Sequence, residues 1–255
     1  MGQHCVDCIA EEAGSARVGT ASPVETEDRR TATPYVTYAL IGINLVLFLA
    51  CLVQAGGTDL TQSMIMADGM LPTGFYLDYQ YWRLLTSGFL HWSVTHVLVN
   101  MVSLYIIGRD LERLFGPARY LTIYLTSLVG GSAAVLALQH EPSLAAGASG
   151  AVYGLMGALL VVVVRMKLPT TSLLVVIGLN VVISWSLPGI SLWAHLGGLL
   201  FGALGALSVV WLPAVALKPA QRTAAKVNQV GWLGLAGLFV IALGAGIGLV
   251  TALSV

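Results

Sequence analysis

Apolar residues along this chain are gathered into long runs, and short polar segments separate them. Seven runs are nearly free of charged residues, at positions 35–54, 92–108, 120–138, 150–164, 169–187, 190–212 and 230–255. Most of them approach the ~20 residues that a helix needs to span a bilayer. The pattern predicts an all-α fold, a polytopic membrane bundle of seven transmembrane helices.

The boundary between the fifth and sixth runs depends on a single turn. Residues 186–191, "SLPGIS", contain the turn signal Pro188-Gly189. We therefore expect two antiparallel helices here rather than one long helix.

The composition agrees with a membrane protein. Hydrophobic residues make up 57% of the chain and charged residues 9%, whereas a soluble domain carries roughly 25% charged residues. The formal net charge is +0, and no phosphate-binding glycine loop is present. These features exclude nucleotide chemistry or a basic nucleic-acid surface as the main function. The lipid bilayer is the expected environment, and nucleic acid is not an expected partner.

The basic residues predict the orientation in the membrane. Residues 1–33 are polar and lack the apolar core of a secretory signal peptide, so the N-terminus is expected in the cytoplasm. That orientation places all but one of the twelve Lys and Arg residues on the cytoplasmic side, namely Arg17, Arg29, Arg30, Arg109, Arg113, Arg119, Arg165, Lys167, Lys218, Arg222 and Lys226. Only Arg83 falls on the external side, which agrees with the positive-inside rule. The sequence thus predicts a protein of the cell membrane whose C-terminus is external.

A long external segment, residues 55–91, follows the first run. It includes "YWRLLTSGFLH", which is rich in aromatic and apolar residues. This composition favours a loop lying in the membrane interface. An ordinary solvated loop is the alternative.

Four polar residues near the outer ends of the runs are candidates for function, namely His96, Asn100, Ser149 and His195. Polar side chains are costly in hydrocarbon and usually face the interior of a bundle. His96 and Asn100 are four residues apart and therefore share one face of a helix. Hydrogen bonding between helices is the alternative for this pair.

Ser149 stands at the head of a short run. Arg165 follows it after 16 residues, which is roughly 24 Å of helix against a hydrocarbon core of ~30 Å. Ser149 is therefore expected below the outer membrane surface. Backbone that is not helical at this depth is tolerated only where it lines protein or a water-filled cavity, so a cavity open to the outside is expected.

His195 lies early in the sixth run, at a depth similar to that of Ser149. Both helices carry glycines at three- and four-residue spacing, namely Gly150, Gly154, Gly157, Gly198 and Gly202. Such residues let two helix backbones approach closely, so Ser149 and His195 are expected within hydrogen-bonding distance. A histidine base activates a serine nucleophile. His96, Asn100 and the first amides of the fourth helix lie at the right depth to stabilise an oxyanion.

Taken together, these motifs resemble the rhomboid family of intramembrane serine proteases. They are "GASG" with Ser149, "AHLGG" with His195, "HWSVTHVLVN" with His96 and Asn100, "YWR" with Trp82 and Arg83, and "GRDLERLFG" after the second run. The resemblance covers about residues 35–212, nearly all of the predicted membrane core.

The resemblance implies a site and its supporting residues. It implies a catalytic dyad of Ser149 and His195, with an oxyanion hole formed by His96, Asn100 and the Ser149 amide. Supporting roles fall to Tyr153, Gly147, Gly150 and Gly198. Tyr153 would pack against the His195 ring, and plain core packing is its alternative role.

The function implied by the resemblance is that of a serine endopeptidase. Its substrates would be transmembrane or juxtamembrane segments of other membrane proteins, and it would need no cofactor and no metal. A non-catalytic rhomboid-like protein that binds transmembrane helices is an alternative, against which the presence of both Ser149 and His195 argues. A small transporter is a second alternative, but it would be expected to show internal repeats and charged or broken helices at the midplane.

The resemblance also divides the chain into three parts. These are a cytoplasmic tail (1–33), a rhomboid protease core (34–213), and a cytoplasmic loop with an extra seventh helix (214–255). Glu112 and Arg113 resemble structural charges of the family. Cys5 and Cys8 resemble half of a zinc ribbon, and because a tetrahedral site needs two such pairs, a remnant is favoured over a metal site.

The sequence further predicts a base without a carboxylate partner. The acidic residues expected on the external side all lie in loops, namely Asp59, Asp68, Asp78 and Glu141. A Ser-His-Asp triad instead uses a buried carboxylate to orient its histidine.

Overall fold

The computed structural model describes residues 32–74, 77–187 and 189–254. Cys5 and Cys8 lie outside these residues, and so does the hypothesis of a half zinc ribbon. Pro188 is also outside them, but the predicted break is present, because one helix ends at Ser186 and the next begins at Leu192.

Helices account for most of the described chain. They are α1 (Tyr35–Ala55), α2 (Met64–Gly69), α3 (Arg83–Thr86), α4 (Val94–Phe115), α5 (Pro117–Leu138), α6 (Ser149–Arg165), α7 (Thr171–Ser186), α8 (Leu192–Val210), α9 (Leu212–Ala216) and α10 (Ala224–Ala252). Short 3-10 turns occupy Leu60–Gln62, Ser87–Phe89 and Pro219–Gln221. A helix stands at each of the seven predicted runs.

The predicted all-α, multi-pass membrane bundle is confirmed. Within the described residues, α1, α5, α8 and α10 are each long and apolar enough to cross a bilayer. Joining Arg83–Phe89 to α4, from which it is bent by 94°, gives a fifth span. The remaining apolar helices, α6 and α7, are shorter, with 17 and 16 residues. The short length of α6 agrees with the spacing of Ser149 and Arg165.

One end of the bundle is organised around the carboxylate of Glu112. Its two oxygens accept hydrogen bonds from the backbone N–H groups of Val36 and Thr37, at 3.0 and 2.8 Å, and from the Thr37 hydroxyl at 2.7 Å. The negative charge thus satisfies the first amides of α1 and opposes the positive end of its dipole. Arg113 donates to the Ala32 carbonyl at 3.1 Å. Both residues hold α4 to the start of α1, as structural charges would.

The opposite end is formed by the first loop, residues 56–93 between α1 and α4. Arg83 in this loop is buried and donates to the Ala67 and Met70 carbonyls at 2.7 and 2.6 Å. Trp82 donates to the Asp68 carbonyl at 3.0 Å, and Thr86 to the Gly69 carbonyl at 2.8 Å. The carbonyls that α2 leaves unpaired at its C-terminal end are therefore satisfied by side chains from α3 and its N-cap.

The first loop also contributes a small sheet, which the sequence analysis did not predict. Strand β1 (Leu71–Thr73) pairs antiparallel with β2 (Ser143–Ala145), with Leu71 opposite Ala145 and Thr73 opposite Ser143. Because β2 ends four residues before Ser149, this pairing ties the first loop to the segment that enters α6.

The central helix of the bundle is α8, which packs against both α5 and α6. A Cβ atom added to Gly198 would overlap the Gly150 carbonyl oxygen, and one added to Gly202 would overlap that of Gly154. The glycines expected to bring α6 and α8 together therefore lie directly at their contact. On the other side of α8, a Cβ at Gly131 of α5 would lie 2.8 Å from the Ala194 carbonyl oxygen.

Candidate active site

The backbone that leads into α6 has one position that only glycine fits. Gly147 has a φ of +138°, which side-chain-bearing residues rarely adopt, and its N–H donates to the Ser87 carbonyl at 2.9 Å. A Cβ here would lie 2.7 Å from Nε2 of His96. Gly147 thus allows the chain to pass beside the His96 ring and to start α6 at Ser149.

Ser149 and His195 are in direct contact across the α6–α8 interface. The Ser149 Oγ lies 2.7 Å from Nε2 of His195. His195 is buried, while Ser149 is partly exposed. This combination leaves the hydroxyl reachable and its partner shielded from solvent.

One face of the His195 ring is covered by Tyr153. The two rings are stacked, with centroids 3.9 Å apart and planes inclined by 13°. Tyr153 is one helical turn after Ser149 and is buried. The arrangement expected from the resemblance is present, and it restricts the orientation of the imidazole ring.

The second nitrogen of His195 meets a residue that the sequence analysis did not single out. The Ser184 Oγ lies 2.7 Å from Nδ1 of His195, 3.1 Å from the Tyr153 hydroxyl and 2.7 Å from the Asn180 carbonyl. A serine near the end of an apolar run was the available signal. It was indistinguishable from a serine that only bonds its own helix.

His96 and Asn100 approach the start of α6 from α4. The His96 ring stands beside Gly147, two residues before Ser149. Asn100 is buried one turn further along and donates one amide hydrogen to the His96 carbonyl at 3.1 Å. Its other amide hydrogen remains available, because a carboxamide nitrogen carries two.

His91 is a second residue that sequence reasoning missed. It is fully buried, and its Nε2 accepts a hydrogen bond from the Ala148 N–H at 3.4 Å. Its ring meets that of His96 edge-on, with centroids 5.0 Å apart. His91 therefore supports both the N-cap of α6 and the ring beside Gly147. Its position five residues before His96, in the same motif, was the visible signal.

The site contains no arrangement suited to a metal ion. Across the part of the chain that the structure describes, no group of three or more His, Cys, Asp or Glu residues could hold one. The neighbours of Ser149 and His195 are instead hydroxyl, imidazole, phenol and amide groups, which are suited to proton transfer and to hydrogen bonding of an anion.

The structure is that of a multi-pass helical membrane protein with a serine–histidine pair near one end of the bundle. Comparison with known proteins identifies its family. The model of the Rhomboid domain matches residues 78–212. The chain is 33% identical over 181 residues to the rhomboid protease GluP of Bacillus subtilis (strain 168). The aligned region covers 69% of this chain and 35% of GluP. The chain is 30% identical over 179 residues to the rhomboid-family protein YdcA of the same organism, covering 67% of this chain and 86% of YdcA. The chain belongs to the rhomboid family.

Two features of these matches bear on function. The chain spans only about a third of the length of GluP, 35%. It is also 40% identical over 84 residues to the Inactive RHOMBOID-like protein 8 of Arabidopsis thaliana. This aligned region covers 32% of this chain and 23% of that protein. Family membership therefore includes both proteases and an inactive relative, and the activity has to be argued from the site.

Proposed function

We propose that this protein is an intramembrane serine endopeptidase that cleaves transmembrane or juxtamembrane segments of other membrane proteins. The contact between Ser149 and His195, 2.7 Å from Oγ to Nε2, carries the proposal. A serine hydroxyl becomes an effective nucleophile when an adjacent base accepts its proton. Similarity to the rhomboid protease GluP supports the same activity.

In the proposed reaction, Ser149 Oγ attacks the carbonyl carbon of the scissile peptide bond while Nε2 of His195 takes the hydroxyl proton. The tetrahedral intermediate then collapses, and His195 gives that proton to the departing amine. Water hydrolyses the resulting acyl-enzyme with His195 as base, which regenerates Ser149. The proposed reaction uses no cofactor and no metal.

The oxyanion of the tetrahedral intermediate needs donors placed in advance. We assign this role to His96, Asn100 and the backbone N–H of Ser149. The His96 ring beside Gly147 supports the assignment, and so does the start of α6 at Ser149, because the first N–H groups of a helix have no partner within it. Tyr153 orients His195, and Gly147, Gly150 and Gly198 permit the close backbone approaches.

The proposed setting is the cell membrane, with the N-terminus in the cytoplasm and the C-terminus outside. The parts of the chain then serve as a cytoplasmic tail (1–33), a protease core (34–213) and a loop with the additional helix α10 (214–255). Transmembrane proteins are the proposed substrates, and they would reach Ser149 from the bilayer.

A non-catalytic protein that binds transmembrane helices is the second candidate. The likeness to the Inactive RHOMBOID-like protein 8 favours it. The pairing of Ser149 with His195 favours the protease, because binding alone needs neither residue.

One experiment separates the two candidates. The purified protein is reconstituted in liposomes with a transmembrane substrate, and a serine-directed phosphonate is added in parallel. A protease cleaves the substrate and is labelled, whereas Ser149→Ala does neither. Binding of the substrate without cleavage, with equal labelling of both forms, would identify the non-catalytic binder.

A further inference from the structure

Helix α7 buries few of its side chains, and one of these is polar. Within α7, all of whose residues the structure describes, only Ile177 and Ser184 are buried. Trp185 is the next residue and is 79% exposed. A serine gains little from burial by the hydrophobic effect, so the reason for its position lies in its hydrogen bonds.

The three contacts of Ser184 match the capacity of a hydroxyl group. A serine hydroxyl has one hydrogen to donate and two lone pairs that accept. The Asn180 carbonyl, 2.7 Å from Oγ, can only accept, so it receives the Ser184 hydrogen. The two lone pairs then face Nδ1 of His195 at 2.7 Å and the Tyr153 hydroxyl at 3.1 Å.

This assignment fixes the proton on the imidazole ring. With its hydrogen committed to Asn180, Ser184 can bond Nδ1 of His195 only if Nδ1 carries a hydrogen. A neutral imidazole has one N–H, so Nε2 is left as an acceptor. Nε2 faces the Ser149 Oγ at 2.7 Å. The opposite tautomer would place a hydrogen on Nε2 and could not remove the proton of Ser149.

We propose that Ser184 is a positioning residue that holds His195 in the Nδ1–H tautomer required of the catalytic base. The inference rests on the proposed protease function. In a Ser-His-Asp triad a carboxylate sets the tautomer. Here the neutral hydroxyl of α7 does so, oriented by a carbonyl of its own helix and supported by Tyr153. When His195 takes the proton of Ser149, Ser184 continues to accept from Nδ1–H.

The first test is kinetic and uses the full-length protein in liposomes. Ser184→Ala should lower kcat by about 10- to 100-fold with little change in KM, the range expected for loss of a hydrogen bond to a charged group. Ser184→Thr should restore most of the rate, because a helical threonine also donates to the carbonyl four residues earlier. Ser186→Ala, an exposed serine of the same helix, is the matched control. A rate for Ser184→Ala within about twofold of that of Ser186→Ala would overturn the proposal.

The second test reads the tautomer itself and needs no turnover. Nitrogen-15 NMR of histidine-labelled protein in micelles, with the His195 signals assigned by their absence in His195→Ala, distinguishes a protonated from a bare ring nitrogen. The wild type should show Nδ1–H and a bare Nε2, and Ser184→Ala should show a mixture of the two tautomers. An Nε2–H tautomer in the wild type, or an unchanged spectrum in Ser184→Ala, would overturn the proposal.

The two readouts also separate this proposal from the function on which it rests. If the wild type cleaves no substrate but His195 holds the Nδ1–H tautomer in a Ser184-dependent way, the protease function fails and the role of Ser184 in setting the tautomer stands. If the wild type cleaves and Ser184→Ala changes neither rate nor tautomer, the function stands and the role of Ser184 fails.

Discussion

The Ser254 hydroxyl oxygen accepts a hydrogen bond from the backbone N–H of Tyr79 at 2.9 Å, which joins residues 175 positions apart. The Ser254 hydroxyl donates a hydrogen bond to the Val250 carbonyl at 2.7 Å. The Tyr81 hydroxyl lies 3.2 Å from the Thr251 hydroxyl. The end of α10 therefore rests against the first loop. Since β1 of that loop pairs with β2, which ends four residues before Ser149, the first loop connects α10 to the candidate site.

This contact predicts a position-specific effect of enlarging glycines in α10. A Cβ at Gly246 would lie 2.9 Å from a methyl carbon of Leu84, whereas one at Gly248 would meet nothing within 4 Å. Gly246→Leu should lower the free energy of unfolding by about 1–3 kcal/mol through overpacking. Thermal unfolding in detergent measures the effect, and Gly248→Leu is the matched control. Equal melting temperatures for the two variants would show that α10 does not pack on the first loop.

A second prediction concerns the entry into α6. Gly147→Ala should reduce turnover at least about 100-fold, because its φ of +138° is strained for alanine and the added Cβ would lie 2.7 Å from His96. Gly116 has a φ of +80° and nothing within 4 Å of an added Cβ. Gly116→Ala therefore carries backbone strain without crowding the site and should keep most of the activity. Comparable losses in both variants would assign the effect to general destabilisation.

Some elements of the fold could be predicted from the sequence, and others could not. The long apolar runs predicted each large helix, because the bilayer demands continuous apolar segments and leaves few alternatives. The pairing of β1 with β2 was not predictable, because three-residue strands carry no periodic pattern and Pro72 disfavours a strand assignment. The conformation of the first loop could not be predicted either, because it depends on hydrogen bonds from Arg83 to the Ala67 and Met70 carbonyls.

The same contrast holds within the site. Ser149 and His195 were identifiable, because a polar residue among small residues has no packing reason to be there. Ser184 differs, because a serine within a span normally bonds its own helix, and Ser184 does so with Asn180. Only the packing of α7 against α8 places its remaining lone pairs near His195. That packing is tertiary, and no local pattern encodes it.

A third prediction tests the donors of the oxyanion hole. Removing one such donor typically lowers turnover by about 10²–10³, less than loss of the nucleophile. Asn100→Ala and His96→Ala should each fall in this range, and Asn100→Ala should leave phosphonate labelling detectable. Val99→Ala changes an exposed residue of the same helix and serves as the control. Wild-type turnover in both site variants would remove His96 and Asn100 from the mechanism.

A fourth prediction concerns orientation in the membrane. The structure places Ser254 beside the first loop and Val36 beside Glu112, so the two ends of the described chain lie at opposite ends of the bundle. Under the positive-inside rule the Glu112 end faces the cytoplasm. A reporter fused after Val255 should therefore read as external, and one inserted near Arg222 as cytoplasmic. The reverse pattern would place Ser149 on the cytoplasmic side.

The last prediction is that His195 works without any carboxylate. Its Nδ1 contacts the Ser184 hydroxyl. The described acidic residues at this end of the bundle lie outside the long helices, with Asp59, Asp78 and Glu141 in loops and Asp68, which was expected in a loop, in the short helix α2. The carboxylate of Asp59 is engaged with Thr61, whose side-chain and backbone hydrogen bonds lower the pKa of Asp59.

Loss of a true triad acid can lower turnover by ~10⁴, which is easily distinguished from a change of about tenfold. Asp59→Asn, Asp68→Asn, Asp78→Asn and Glu141→Gln should each keep activity within about tenfold of the wild type, because no step of the proposed reaction uses them. Cleavage is measured in liposomes, with membrane insertion checked for every variant and Ser149→Ala as the inactive reference. A single inserted, folded variant as inactive as Ser149→Ala would mean that a loop carboxylate reaches the base, and the dyad would have to be replaced by a triad.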